Sequence, residues 1–263
     1  MKILMCRPDY FGIEYEINPW MDISKKVAYN TAVNQWNKLH ETIEKCGAQI
    51  EMVAPVSGWP DMVFTANAGL FYKNKIILPH FKHKERQGEL PYMQAWFRKN
   101  GYDFGNEITS STPNYEGAGD SLLAGDILFA GYGFRSDRSF YESEKIFDQA
   151  KIIYCELVDP FFYHIDTCFC PLTDKLALWY PHAFSKASQQ NMSAAIELIP
   201  VVEEEARRFA CNTIVLGRHV IMPANCPITA NELTKRGFEV HACDMSEFLK
   251  AGGACKCLTL RID

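Results

Sequence analysis

The stretch Glu116-Gly117-Ala118-Gly119-Asp120, running on to Asp126-Ile127-Leu128-Phe129-Ala130-Gly131-Tyr132, carries the pattern from which the fold is read. Small and polar residues come first, then an apolar strand, a short turn and a second apolar strand that ends near glycine, proline or an aromatic. The order recurs along the chain. Asp61-Met62-Val63-Phe64-Thr65-Ala66-Asn67-Ala68-Gly69 leads to Lys75-Ile76-Ile77-Leu78-Pro79, and His164-Ile165-Asp166-Thr167-Cys168 leads to Leu176-Ala177-Leu178-Trp179-Tyr180-Pro181. Cys211-Asn212-Thr213-Ile214-Val215 leads in turn to Val220-Ile221-Met222-Pro223. A fifth unit begins at Lys256-Cys257-Leu258-Thr259-Leu260 and stops short, and Met1-Lys2-Ile3-Leu4-Met5-Cys6 is the candidate for its missing strand. Asn67, Asp120, Asp166, Asn212 and Cys257 recur at roughly 45 to 55 residues, in the range of propeller repeats, whose rings commonly close by joining the two termini.

Between the hairpins, Ser24 is expected to cap a helix carrying Val27, Val33, Trp36, Leu39 and Ile43 on one side and ending at Gly47. Tyr92 to Asn100 and Val201 to Phe209 also read as helical, whereas Gln49 to Val53 and Lys151 to Cys155 read as strands. The units are therefore expected to run strand, strand, helix, strand. An alternating parallel α/β sheet competes with this reading but lacks its glycine fingerprint for phosphate.

Composition narrows the function classes. A chain of 263 residues with 48% hydrophobic content can bury a large core, and no Pro-, Gly- or Ser-rich linker divides it, so one domain over 1–263 is expected. The net charge of -5 and the absence of a long basic run argue against nucleic acid or an acidic membrane as partner and favour a small molecule. Ten cysteines without a secretory hydrophobic segment are expected to be reduced thiols of a cytoplasmic protein. No apolar stretch reaches membrane-spanning length, no cofactor is indicated, and oligomerisation stays open.

The chemistry concentrates near the C-terminus, at Gly252-Gly253-Ala254-Cys255-Lys256-Cys257-Leu258-Thr259-Leu260, where a double glycine allows a sharp turn and close approach before a strand that would hold a thiol. In a second segment, read as a strand, His164, Asp166, Cys168 and Cys170 share one face. Taken alone, such residues are more simply a satisfied histidine beside packing cysteines. If the units close into a ring, however, Asn67, Glu116, Asp120, His164, Asp166, Asn212 and Cys257 converge on one cavity. Carboxylates, one histidine and one thiol suit a guanidinium, whose planar donors match carboxylate acceptors and whose charge favours the thiolate. A zinc site from His164, Cys168, Cys170, Cys255 and Cys257 is a rival, but both thiol pairs are Cys-x-Cys rather than Cys-x-x-Cys, so no metal ligand is assigned.

These motifs resemble those of the guanidino-group-modifying superfamily: arginine deiminases, dimethylarginine dimethylaminohydrolases and amidinotransferases, which share a five-bladed α/β propeller (pentein) fold. Its Glu-Gly-x-x-Asp falls on Glu116 to Asp120, its His-x-Asp on His164 to Asp166 and its Gly-Gly-x-x-x-Cys on Gly252 to Cys257. The likeness covers essentially the whole chain. It implies that Cys257, directly before Leu-Thr, is the nucleophile and Cys255 a bystander. It further implies that His164 is the general acid and base, that Glu116 and Asp166 hold the guanidinium with Glu116 also moving protons, and that Asp120 lies with the substrate-binding residues while mainly stabilising its loop. Arg86 and Arg135 follow positions that bind a substrate carboxylate, the bland alternative being a surface salt bridge.

One departure from the deiminase pattern separates branches. Phe64-Thr65-Ala66-Asn67 stands where deiminases typically read Phe-Thr-Arg-Asp, so a guanidinium-binding carboxylate has become an amide. Together with Ile17-Asn18-Pro19-Trp20-Met21, the segments His83 to Glu89, Gly131 to Ser136 and Phe248 to Gly253 make the chain similar to the arginine dihydrolase branch. That branch converts arginine to ornithine, carbon dioxide and two ammonia, with Asn67 and Asn18 as candidates for holding a ureido-like species. Longer members add a C-terminal region acting on ornithine, and this chain resembles the hydrolase module. A deiminase or dimethylarginine hydrolase giving citrulline, an amidinotransferase, and a propeller-fold binding protein without catalysis remain alternatives.

Overall fold

The fold is built from five small sheets, each centred on one of the hairpins, and a computed structural model describes residues 1–263 of the chain. Strand β1 (Lys2–Cys6) pairs parallel with β2 (Gln49–Val53) and antiparallel with β14 (Leu260–Arg261), Ile3 facing Arg261. The N-terminal run thus completes the unit cut short at the C-terminus. The second hairpin is β3 (Leu70–Tyr72) with β4 (Lys75–Ile77), turned through Lys73 and Asn74, both at positive φ (49° and 60°), as a tight two-residue hairpin requires. The remaining hairpins are β5 (Ser121–Ala124) with β6 (Ile127–Tyr132), β8 (Phe169–Thr173) with β9 (Leu176–Trp179), and β11 (Ile214–Leu216) with β12 (His219–Pro223).

A parallel third strand flanks each of those three: β7 (Lys151–Glu156) on β6, β10 (Glu197–Pro200) on β9 and β13 (Glu239–Cys243) on β12. In the second unit only a single bridge, Ile76 to Phe104, takes that place. Parallel pairing needs a crossover, and helices supply it: α1 (Tyr29–Lys45), α2 (Leu90–Lys99), α3 (Lys186–Ala195) and α4 (Pro227–Lys235).

Helix α1 buries Ala32, Gln35, Trp36, Leu39, Thr42 and Ile43 and stops before Gly47, at φ +89°. Its start differs from the sequence expectation. Ser24 bonds Asp22 instead of capping, Val27 lies outside the helix, and the Ala28 N–H at the helix start donates to Glu247 at 2.7 Å. A distant carboxylate has replaced the local cap. Val201 to Phe209 is likewise only a short helix, Glu203–Ala206.

The core fills the space between neighbouring units. Phe129 and Phe169, both fully buried, bring strands β6 and β8 together with ring centroids 4.7 Å apart. Truncating either to alanine would cost about 3–5 kcal/mol. Toward the inner ends of the hairpins the units are joined by polar bonds. Asn67 Nδ2 donates to the Glu116 carbonyl (2.8 Å), Ile165 N to Asp120 Oδ1 (3.1 Å), Asn212 Nδ2 to the Asp166 carbonyl (3.0 Å), Lys256 N to the Asn212 carbonyl (3.2 Å) and Ala66 N to the Cys257 carbonyl (3.1 Å).

Candidate active site

The site residues sit in short turns at the entry to each hairpin, and here local structure departs from the alternation read in the sequence. His164 precedes a 3-10 turn, Ile165–Thr167, and the strand begins only at Phe169. His164, Asp166, Cys168 and Cys170 therefore do not share a strand face. Thr167 Oγ1 donates to the His164 carbonyl at 2.6 Å, and this local bond favours the turn over an extended chain. Similarly, Cys257 lies in a turn, and the strand that follows is only Leu260–Arg261.

The double glycine has a steric reason. At Gly252, φ is +82°, and an added Cβ would lie 2.9 Å from Asn18 Oδ1 and 3.0 Å from the Tyr163 hydroxyl; at Gly253 it would lie 2.5 Å from Phe64. The turn therefore packs under the Asn18 loop and presents Cys257 to the interior.

Cys257 is 4% exposed, and its thiol is fixed on two sides: Asn212 Nδ2 donates to Sγ at 3.0 Å, and Sγ lies 3.4 Å from Asp166 Oδ2. Asn212 also accepts from the Cys257 N–H at 3.1 Å, so one amide grips both ends of the residue. Burial, and then the Asp166 carboxylate, push the thiol well above its ordinary value, so the resting form is the thiol. Burial also raises Asp166, to about 6, and its Oδ1 has no hydrogen-bond partner. A cation placed beside these two groups would satisfy the carboxylate and lower the thiol together.

Glu116 is fully buried and meets two side chains through one oxygen: His164 Nε2 at 2.7 Å and Arg135 Nη1 at 2.9 Å. Burial pushes its carboxyl up, but Arg135 and then His164 outweigh burial and hold it well below the usual carboxylate range. An ionised Glu116 can only accept, so His164 Nε2 donates to it and Nδ1 is left to take up or release a proton. Arg86 is 3% exposed and binds Glu89 through Nε and Nη2 (2.8 and 2.9 Å) while donating to Asn67 Oδ1 at 2.8 Å. Arg135 is equally buried and lies over the Tyr163 ring, 4.6 Å from its centroid. Neither arginine is the surface salt bridge of the bland reading.

Ile17, Asn18, Met21, Asp61, Phe64, Asn67, Arg86, Arg135, Tyr163, His164, Ala251 and Cys257 line one narrow cavity, with a void of only about 10 Å³. Asn18 lies in its roof, where Nδ2 donates to the Ala251 carbonyl at 3.1 Å and Oδ1 accepts from Trp20 N at 2.9 Å. Asp120, grouped with the substrate-binding residues but read as mainly stabilising its loop, makes loop contacts: its carboxylate accepts from Ser136 Oγ at 2.6 Å and from Ile165 N at 3.1 Å, and it is not among the residues that line the cavity. The rival zinc set is not brought together, since the one grouping of histidine, cysteine and acidic atoms within ligand range lies elsewhere.

Two residues to which the sequence assigned no role belong to this constellation, one of them expected at the cavity and one not. Asn212 stood out in the repeat but had no role assigned, and its grip on Cys257 links positions 45 residues apart. Asp61 opens the second unit and carries no motif. It is 2% exposed, accepts from the Tyr15 hydroxyl at 3.0 Å through Oδ2, and has an unpartnered Oδ1; burial raises its carboxyl. Its place at the start of a polar hairpin entry was the only available signal.

Comparison with known proteins matches this geometry to a family. A family model described as "N,N dimethylarginine dimethylhydrolase, eukaryotic" matches residues 7–263. The bifunctional arginine dihydrolase/ornithine cyclodeaminase ArgZ of Synechocystis sp. is 44% identical over 100% of this chain and 38% of its own length. An N(G),N(G)-dimethylarginine dimethylaminohydrolase of Mycobacterium tuberculosis is 38% identical, covering 99% of this chain and 85% of that protein. Among solved structures, the N-terminal domain of ArgZ, a cysteine-to-serine mutant bound to substrate, superposes with a TM-score of 0.94 at 43% identity, over 99% of this chain and 97% of that one.

The α/β pentein fold and its thiol, histidine and acids define a protein of the guanidino-group-modifying superfamily. Within that class, the chain belongs to the dimethylarginine dimethylaminohydrolase family. It spans about two fifths of the length of the bifunctional relatives it matches, 38% in each of two.

Proposed function

We propose that this chain hydrolyses the guanidinium of arginine through Cys257, as an arginine dihydrolase: arginine and two waters become ornithine, carbon dioxide and two ammonia. The observation that carries the reading is the pairing, across one cavity, of a thiol beside a partnerless carboxylate oxygen of Asp166 with a histidine anchored on ionised Glu116. In the proposed sequence the substrate guanidinium enters between Asp166 and Glu116, lowers the thiol and meets its attack at the central carbon. His164 protonates the departing ammonia, then takes a proton from the water that attacks the thiouronium adduct. A second such cycle on the ureido carbon expels the other terminal nitrogen as ammonia, water frees the resulting carbamate from the sulfur, and loss of carbon dioxide from that carbamate leaves ornithine.

Binding requires an exchange of ion pairs, because Arg135 holds the Glu116 oxygen that the substrate needs. The incoming guanidinium displaces Arg135, which is then free for the substrate carboxylate, while the unpartnered oxygen of Asp61 suits the α-ammonium. Arg86, tied to Glu89 and Asn67, serves mainly to orient the Asn67 amide. The void of about 10 Å³ fits a resting state that must open, and the Asn18 and Trp20 bonds to the Ala251 and Phe161 carbonyls are the contacts to release. The architecture behind this is proposed to be a single domain over 1–263 forming a five-bladed propeller. It is supported by five hairpin units, four of them three-stranded and one two-stranded with a single added bridge, and by inner bonds that pass from each unit to the next and from Cys257 back to Ala66.

Asn67 favours a dihydrolase over an enzyme stopping at citrulline. Its amide lies in the wall beside Glu116 and Arg86, where it can hold a neutral ureido group that a carboxylate would not retain. Two relatives above 40% identity are bifunctional arginine dihydrolase/ornithine cyclodeaminases, and an asparagine-to-serine variant of the ArgZ N-terminal domain was captured covalently bound to a reaction intermediate. Mass spectrometry of products from arginine, with ammonia counted, tests the reading: two ammonia per ornithine are expected, and stoichiometric citrulline would refute it. Asn67→Asp is expected to shift products toward citrulline. Gly119→Ala, whose new Cβ would meet Asn67 Nδ2, should shift them the same way without changing any charge.

The acid limb of the pH profile follows from Asp166. Its carboxyl ionises near 6, so kcat/KM for a cationic substrate is expected to fall about tenfold per pH unit below that value, and Asp166→Asn should flatten the limb at low activity. Stability runs the other way. The folded value is raised above the ordinary 3.8, so this group's contribution is complete below 3.8 and is lost as pH rises through about 6. Urea melts of Asp166→Asn should therefore gain on the parent between pH 5 and 7, within about one pH unit of that value.

A further inference from the structure

Outside the cavity, a second cluster lies where the end of α1 meets strands β12 and β13 of the fifth unit. Cys46 caps α1, His219 opens β12, and Glu239 and His241 stand on β13. The register pairs His219 with Glu239, and His241, two residues further on, lies on the same sheet face. His219 Nδ1 is 3.1 Å from His241 Nε2 and 3.3 Å from Glu239 Oε2, and the ligand atoms of Cys46, His219 and His241 all lie within 4.8 Å of one another. Of ten cysteines, Cys46 alone is not buried, and its thiol makes no hydrogen bond.

We propose that Cys46, His219 and His241 form a three-ligand binding site for a zinc-like transition-metal ion, its fourth position left to water or, after a side-chain rotation, to the Glu239 carboxylate beside His219. A hydrogen-bonded pair of histidines needs neither the thiol nor the acid. The 3.1 and 3.3 Å separations are instead close to the edge of a tetrahedron whose metal–ligand bonds are about 2.0–2.1 Å. One thiolate, two imidazoles and a carboxylate are donors for zinc or cobalt, and not for calcium or magnesium, which take oxygen ligands. A cysteine binds a metal ion as its thiolate, so binding releases a proton and affinity increases with pH. The ion would join the end of α1 to the β12–β13 pair, fastening the first unit to the fifth.

The test uses untagged protein carrying Cys257→Ser, which removes the other thiol that lies near a histidine. Titration with Co²⁺ is expected to saturate at one ion per chain, with the visible bands of tetrahedral cobalt and a near-ultraviolet thiolate charge-transfer band, all bleached by Zn²⁺. Adding Cys46→Ser should remove the charge-transfer band, and His241→Gln should weaken binding at least about tenfold, by analogy with the cost of losing a supporting ligand contact. Zn²⁺ should raise the Tm of the Cys257→Ser protein and leave that of the doubly substituted chains unmoved. Both substitutions are at half-buried positions, so metal-free melts that match the parent establish folding. Absence of cobalt bands, or bands that survive Cys46→Ser and His241→Gln combined, would overturn the assignment.

Discussion

Cys257→Ser is expected to yield neither product nor covalent adduct from arginine, while Cys255→Ser retains turnover per folded molecule. The two thiols are separated by one residue but occupy different environments. Cys257 lines the cavity, with Asn212 on one side and the Asp166 carboxylate on the other, so a bound cation can lower it. Cys255 is fully buried in an apolar cluster with Phe248, Leu258 and Cys243, and burial holds its thiol far from ionisation at neutral pH. No substrate reaches it. Placing a hydroxyl there should cost about 1–3 kcal/mol, so Cys255→Ser should melt earlier yet keep its kcat. Intact-protein mass spectrometry during turnover, beside an ammonia assay and a thermal melt, separates the outcomes. A dead Cys255→Ser that melts like the parent, or turnover by Cys257→Ser, would move the nucleophile.

The second large effect is expected at Glu116. Replacing it with glutamine removes a charge on which His164 and Arg135 converge through a single oxygen, with Arg135 only 3% exposed. Arg135 would face a neutral amide oxygen in place of its carboxylate, keeping the Ile17 carbonyl and the Tyr163 ring, and breaking a buried pair by neutralising one partner costs about 3–5 kcal/mol. His164 would lose the charged acceptor that holds and polarises its ring through Nε2, so a fall of about 10²–10⁴ in kcat is expected, the range for a disabled general acid and base. The parent pair also leaves a mark on stability. Glu116 is held below its ordinary 4.5, so its contribution is complete above 4.5 and is lost as pH falls through the folded value. Glu116→Gln should remove that component of acid unfolding. A variant with parental kcat would eliminate Glu116 from the chemistry.

Much of the fold was legible because hairpins are local. Alternating apolar runs with short turns specify their own pairing, and the expected union of Met1–Cys6 with the last unit appears as β1 against β14, Ile3 facing Arg261. Helix ends were less legible, since a carboxylate 219 residues away, on Glu247, supplies the bond assigned to Ser24. The strand expected at His164 to Cys170 became a turn for a related reason. A side-chain bond from Thr167 to its neighbour's carbonyl decides it, and periodicity cannot register that.

The sequence by itself determined which residue types recur at the hairpin entries, and motif resemblance selected Cys257, His164, Glu116 and Asp166 from them. Only the tertiary structure decided who meets whom. Asn212 grips Cys257, Arg135 occupies Glu116, Arg86 turns to Glu89 and Asn67, Asp120 faces its own loops, and Asp61 brings a partnerless oxygen to the cavity. The reason is physical. Patterns in a chain report which face is buried, whereas a buried charge is settled by whatever partner the fold brings within about 3 Å, at any separation in sequence.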